Sequence, residues 1–99
     1  MFVSNLKNDQ TDVLVRALLS LQTEEECYRA LEDLFTIREI RDLSQRLEVA
    51  RLLREGVTYS EIVERTGVST ATIGRVNRCL SYGAGGYKLI FEKLEGDKA

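Results

Sequence analysis

The run from Thr58 to Leu80, Thr-Tyr-Ser-Glu-Ile-Val-Glu-Arg-Thr-Gly-Val-Ser-Thr-Ala-Thr-Ile-Gly-Arg-Val-Asn-Arg-Cys-Leu, constrains the fold more than any other feature of this chain. Thr58 and Glu61 have the spacing of a capping box, in which a hydroxyl and a carboxylate satisfy backbone N–H groups at a helix start. Ile62 and Val63 fall on the inner face of that helix. Gly67 supplies the positive-φ residue that ends a helix at no steric cost, and Val68 plugs the corner. Ser69 caps a second helix, which buries Ile73, Val76 and Leu80 at i, i+3 and i+7. Its other face carries Thr70, Thr72, Gly74, Arg75 and Arg78. Two helices joined by a short Gly-containing turn form a helix-turn-helix, and a second helix presenting hydroxyls and arginines is the geometry that reads a DNA major groove.

The remaining pattern is helical throughout, so the expected class is all-α with about six helices. Asn8-Asp9-Gln10-Thr11 opens a first helix over about 10–21, with Val13, Leu14, Ala17, Leu18 and Leu21 on one face. Thr23 to Glu26 is a second capping box, opening a helix over about 24–35 whose inner face carries Cys27, Tyr28, Ala30, Leu31, Leu34 and Phe35. Thr36 to Glu39 is a third box. It opens a long helix to about Glu55, striped by Ile37, Ile40, Leu43, Leu47, Ala50 and Leu53, and Gly56 ends it. Tyr82 to Gly86 reads as a flexible break, Tyr87 to Leu94 as a short last helix, and Glu95 to Ala99 as a frayed end. The organisation is one helical domain over 1–99, with dimerisation helices over 10–55, the helix-turn-helix over 58–81 and a C-terminal helix over 87–94. A chain of 99 residues is small for a self-sufficient core, and one with a long helical N-terminal half often completes its core by pairing.

Charge and composition narrow the function. The net charge is −2, but its distribution is uneven. Residues 1–35 hold three basic and seven acidic side chains, whereas Thr66 to Phe91 holds Arg75, Arg78 and Lys88 and no Asp or Glu. An acid-free tract over the second helix suits a polyanion, because each arginine or lysine there can displace counterions from phosphates. There is no histidine, no nucleophile–base pair and no paired carboxylate pattern, so no enzyme, metal or cofactor is expected. Cys27 and Cys79 stand apart and suit small buried side chains in a reducing cytoplasm. No apolar run spans a bilayer and no signal peptide is visible, so the expected location is cytoplasmic, away from membranes. Gly83 to Gly86 has neither the preceding strand nor the following lysine of a P-loop and reads as a hinge.

From about Leu34 to Leu94 the chain resembles the Trp repressor family, above all the small Trp-repressor-related proteins of the YerC/YecD type. The resemblance rests on the run from Leu34 through Thr36-Ile-Arg-Glu-Ile-Arg-Asp-Leu-Ser-Gln-Arg-Leu47 and the helix ending Leu52-Leu-Arg-Glu-Gly56. It continues through Ala71-Thr-Ile-Gly-Arg75 and Asn77-Arg-Cys-Leu-Ser-Tyr-Gly-Ala-Gly-Gly-Tyr87. It implies an intertwined all-helical homodimer that binds operator DNA in a bacterial cytoplasm. It also implies a tryptophan site, in which Thr36 matches the threonine opening the long helix, and Arg46 and Arg75 match the arginines flanking the indole. Two positions depart. Val76 stands where the repressor has the glycine that leaves room for the ring, and Cys79 stands where it has a serine near the ligand's amino group.

The expected function is therefore a sequence-specific DNA-binding transcriptional regulator, a repressor, acting as a homodimer on a pseudo-palindromic operator. Its recognition helices would enter successive major grooves about 34 Å apart. The expected DNA-contacting residues are Ser69, Thr70, Thr72, Arg75 and Arg78. Thr36 and Arg46 are candidates for the remnant of a ligand site with no small-molecule effector specified; the alternative is that Thr36 is simply a helix cap and Arg46 pairs with a nearby carboxylate or phosphate. A valine filling the ring's space costs about 1–3 kcal/mol of overpacking, so tryptophan is not the expected corepressor. The alternative is a helix-turn-helix protein–protein interaction module, with the acidic N-terminal half recruiting a partner.

Overall fold

The computed structural model describes residues 1–96. Among these the elements are α1 (Asp9–Leu19), α2 (Glu24–Leu34), α3 (Ile37–Arg54), α4 (Tyr59–Thr66), α5 (Thr70–Tyr82) and α6 (Gly86–Gly96), with no strand. The fold is all-α, as the capping pattern requires. The chain divides into two compact units, Met1–Ile37 and the part from Arg38 onward.

In the first unit, local chemistry sets the helix starts. The Asn8 side chain accepts the Thr11 backbone N–H at 2.8 Å. The Thr23 hydroxyl accepts the N–H of Glu26 at 3.1 Å, and the Glu26 carboxylate in turn accepts the N–H of Gln22 at 2.8 Å. Three acidic residues occupy the first turn of α2, where the helix dipole favours them. Neither α1 nor α2 contains a buried residue. Val13, Leu14, Leu18, Tyr28 and Leu34 are exposed while Leu21, Ala30, Leu31 and Phe35 are half-buried, so the apolar faces read from the sequence lie largely uncovered in the single chain. Cys27 is exposed with them, contrary to the expectation of a buried thiol.

The second unit holds the core. Val49, Ala50 and Leu52 of α3, Ile62 of α4, Val68 of the turn, Ile73 and Val76 of α5 and Phe91 of α6 are buried together. Ile62 and Ile73 are wholly inaccessible, and burying a side chain of this size contributes about 1.5–3 kcal/mol. The stripe expected along α3 is only half realised. Ala50 is buried and Leu47 and Leu53 pack against the core, but Ile37 and Leu43 are exposed and the core takes Val49 and Leu52 as well. Only the C-terminal half of α3 has neighbours within this unit to pack against, and they approach over a wider arc than one stripe.

The end of α3 closes with the Gly56 N–H bonded to Leu53 O and the Val57 N–H to Leu52 O, both at 3.1 Å. This is the paired hydrogen bonding of a Schellman motif. At the other end of the unit, the break after α5 begins at Gly83, the cap of that helix. A Cβ on Gly83 would stand 2.4 Å from the Cys79 carbonyl oxygen, so only glycine fits. Helix α6 runs to Gly96 instead of ending at Leu94, and Glu95 binds Arg54 of α3 at 3.0 Å. The remainder of the expected frayed end, 97–99, lies outside the described residues.

Candidate nucleic-acid interface

Side-chain hydroxyls set the start of α4 and the corner between α4 and α5. The Thr58 Oγ accepts the Glu61 N–H at 3.3 Å and starts α4. The Glu61 carboxylate does not close the box but pairs with Arg65 at 3.3 Å. Gly67, at φ 73°, ends α4 with its N–H on Val63 O at 2.8 Å. A side chain at that dihedral would be strained. The Thr66 hydroxyl donates to Ile62 O at 2.7 Å and accepts the Val68 N–H at 3.1 Å, so one residue ties the last turn of α4 to the loop. Sequence reading missed this role, although a threonine just ahead of a helix-ending glycine is a legible signal for it. The Ser69 Oγ accepts the Thr72 N–H at 3.2 Å and donates to the Thr72 hydroxyl at 3.1 Å.

Helix α5 is two-sided. Ile73 and Val76 are sealed in the core and Leu80 packs at its edge. Thr70, Arg75 and Arg78 are exposed, and Thr72 is half-buried by its contacts at the turn. Gly74 is half-buried, and a Cβ there would meet nothing within 4 Å. Cys79 is exposed, so it does not close the inner side of α5 as expected; that side is completed by Val76 and Leu80. Helix geometry puts Cys79 one position away from the Ile73–Val76–Leu80 stripe.

A cleft of about 420 Å³ runs between α3 and the corner, lined by Asp42, Gln45, Arg46, Gly67, Val68, Ser69, Thr72 and Arg75. It brings together four of the residues singled out from the sequence: Arg46, Ser69, Thr72 and Arg75. Thr70, Arg78 and Thr36 are not part of its lining. The Arg46 Nε donates to the Asp42 carbonyl at 3.4 Å. Sequence reading missed Asp42 and Gln45 as wall residues, although both lie within one helical turn of Arg46. Val76 lies in the core and is not in the lining. No cluster of histidine, cysteine and carboxylate side chains able to hold a metal occurs among the described residues, and no helix there is long and apolar enough to cross a membrane.

Comparison with known proteins matches this architecture. The family of the Trp repressor protein matches residues 9–95. The uncharacterised protein YerC of Bacillus subtilis (strain 168) is 50% identical over 95 residues, covering 96% of this chain and 91% of that protein. Among solved structures, a TrpR-like protein from Eubacterium eligens ATCC 27750 superposes with a TM-score of 0.87 at 53% identity, over 91% of this chain and 93% of that one. A candidate Trp repressor from Staphylococcus aureus superposes with a TM-score of 0.87 at 42% identity, over 96% and 95% of the two chains.

Proposed function

The chain belongs to the Trp repressor family, and from that premise we infer that it is a DNA-binding transcriptional regulator, a homodimeric repressor acting at a pseudo-palindromic operator. One observation carries the reading. Helix α5 is anchored on one side by Ile73 and Val76 and offers Thr70, Arg75 and Arg78 to solvent on the other. No acidic residue occurs from Thr66 to Phe91 to oppose a phosphate backbone. Hydroxyls at the leading end of a helix position the phosphates, and arginines a turn further on reach base edges or phosphates. Ser69 contributes first as a cap, since its hydroxyl is already committed to Thr72.

The homodimer is supported by the first unit. Two amphipathic helices without a fully buried residue leave Val13, Leu14, Leu18, Tyr28 and Leu34 exposed. Covering apolar area is worth roughly 25 cal/mol per Å², and a second copy of the chain interlocking with the first is the covering that the family implies. Two copies related by a two-fold axis would then set two α5 helices against successive major grooves.

Tryptophan is not the effector in this reading. Val76 is 2% exposed, part of the core that holds α5 in place, and stands where the family's ligand site needs a glycine. Arg46 and Arg75 instead face a polar cleft that Val76 does not line. Two measurements test the proposal. Light scattering on the purified protein should give the mass of a dimer. A duplex-DNA column should retain the protein at low salt and release it as salt rises. A monomer would remove the dimer. Passage through the column without retention would favour the protein–protein interaction module instead.

A further inference from the structure

The geometry points to a second DNA-contacting element outside the helix-turn-helix, in which Arg38 and Arg41 of α3 grip the phosphate backbone beyond the leading end of α5. The inference rests on the DNA-binding reading of α5. Its basis is the way α3 and α5 run beside each other. Asp42, Gln45 and Arg46 share a cleft with Ser69, Thr72 and Arg75, while Leu53 and Arg54 share another with Asn77 and Leu80. The two helices therefore advance in the same direction, and α3 residues ahead of Asp42 project past Ser69, where α5 begins. At 1.5 Å per residue, Arg38 lies about 6 Å beyond the level of Asp42.

Helical spacing puts both arginines on the face of α3 that forms the cleft wall further along, though neither lines the cleft itself. Arg38 precedes Asp42 by four residues and Gln45 by seven, and Arg41 precedes Gln45 by four, so they share its face. Both are exposed. Arg29, Arg51, Arg54 and Arg65 are engaged with glutamates. Arg38, Arg41, Arg46, Arg75 and Arg78 have no salt bridge among the described residues, and neither has Arg16 of α1. The acids of this part of α3 are Glu39, which is already engaged, and Asp42 in the cleft. Arg38, Arg41, Arg46 and Arg75 outnumber them, leaving a net positive ridge that leads from α3 to the reading helix. A helix that enters the major groove by its N-terminal end has a phosphate strand to either side of that end. Cations placed just past it meet one strand without touching a base. They would add affinity and salt dependence but no sequence preference.

The test uses the full-length protein and a fluorescein-labelled random-sequence duplex, with anisotropy followed across a salt series. Each phosphate contact contributes about 0.9 to the slope of log K against log salt, so Arg38→Gln with Arg41→Gln should flatten the slope by about 2 per protomer. Affinity should fall by a similar factor on unrelated duplexes. Arg38→Lys with Arg41→Lys should keep the slope. Arg16→Gln with Lys93→Gln, which removes the same charge from other exposed positions, should change it much less. Circular dichroism should show unchanged helix content in every variant. If the wild type binds duplex DNA and the Arg38/Arg41 variant loses no more slope than the Arg16/Lys93 variant, the second contact is wrong while α5 stands. If the wild type shows no salt-dependent binding, the reading of α5 fails first and this inference goes with it.

Discussion

The Thr66 hydroxyl accepts the backbone N–H of Val68 at 3.1 Å while it donates to the carbonyl of Ile62 at 2.7 Å. That bridge fixes the corner between α4 and α5 and so the direction in which α5 leaves the core. Thr66→Val keeps the shape and removes both bonds, leaving the part-buried Val68 N–H without its partner. An unsatisfied buried donor costs about 1–3 kcal/mol. Urea unfolding should show a lower midpoint with an unchanged m-value, and DNA affinity should fall because α5 is less firmly set.

How much of this was legible in the sequence depended on distance along the chain. The starts of α1, α2, α4 and α5 were readable because Asn8, Thr23, Thr58 and Ser69 each act within three residues. The turn at Gly67 was readable for the same reason. The α3 stripe was not, because which residues are buried depends on which neighbours arrive, and Ile37 and Leu43 stay exposed in the single chain. The true length of α6 was hidden too, since Glu95 is held by Arg54 from 41 positions away. Within the site, Arg46 and Arg75 could be named, but only the fold shows that Asp42 and Gln45 share their cleft.

Arg54 does more for α6 than pair with Glu95. Its guanidinium carbon lies 4.9 Å from the centroid of the Phe91 ring, the one residue that α6 buries. A partly exposed cation over a ring contributes about 0.5–1 kcal/mol, and an exposed ion pair adds about 0–1 kcal/mol. Arg54→Ala should therefore lower the melting temperature by several degrees. Glu95→Gln should lower it by much less, because the ring contact survives. Equal losses from the two substitutions would show that the ion pair, and not the ring, holds α6.

Gly74 sits inside α5 with nothing within 4 Å of a would-be Cβ. Packing gives no reason for a glycine there, and in a helix interior it costs roughly 0.5–1 kcal/mol relative to alanine. Gly74→Ala should stabilise the fold by about that amount in denaturant titration. On the proposed reading it should also weaken DNA binding, because the open space at Gly74 is where a backbone can approach the helix. A variant that is more stable and binds DNA equally well would show that no close approach occurs at this point.

Val76 makes a prediction about small molecules. Isothermal titration with L-tryptophan should show no saturable heat at sub-millimolar concentration, because the ring's place in the family site is filled by core. Clear saturation in that range would mean that α5 can move to admit the ring.

The central claim is that the exposed side of α5 carries DNA binding through Arg75 and Arg78. The most direct measurement compares the salt dependence of duplex binding by the wild type and by Arg75→Ala with Arg78→Ala, with folding confirmed by circular dichroism. The wild type should bind tightly with steep salt dependence, and the variant should bind more weakly by an order of magnitude or more with a visibly flatter slope. Equal affinities and equal slopes would contradict it and place the DNA-binding surface elsewhere.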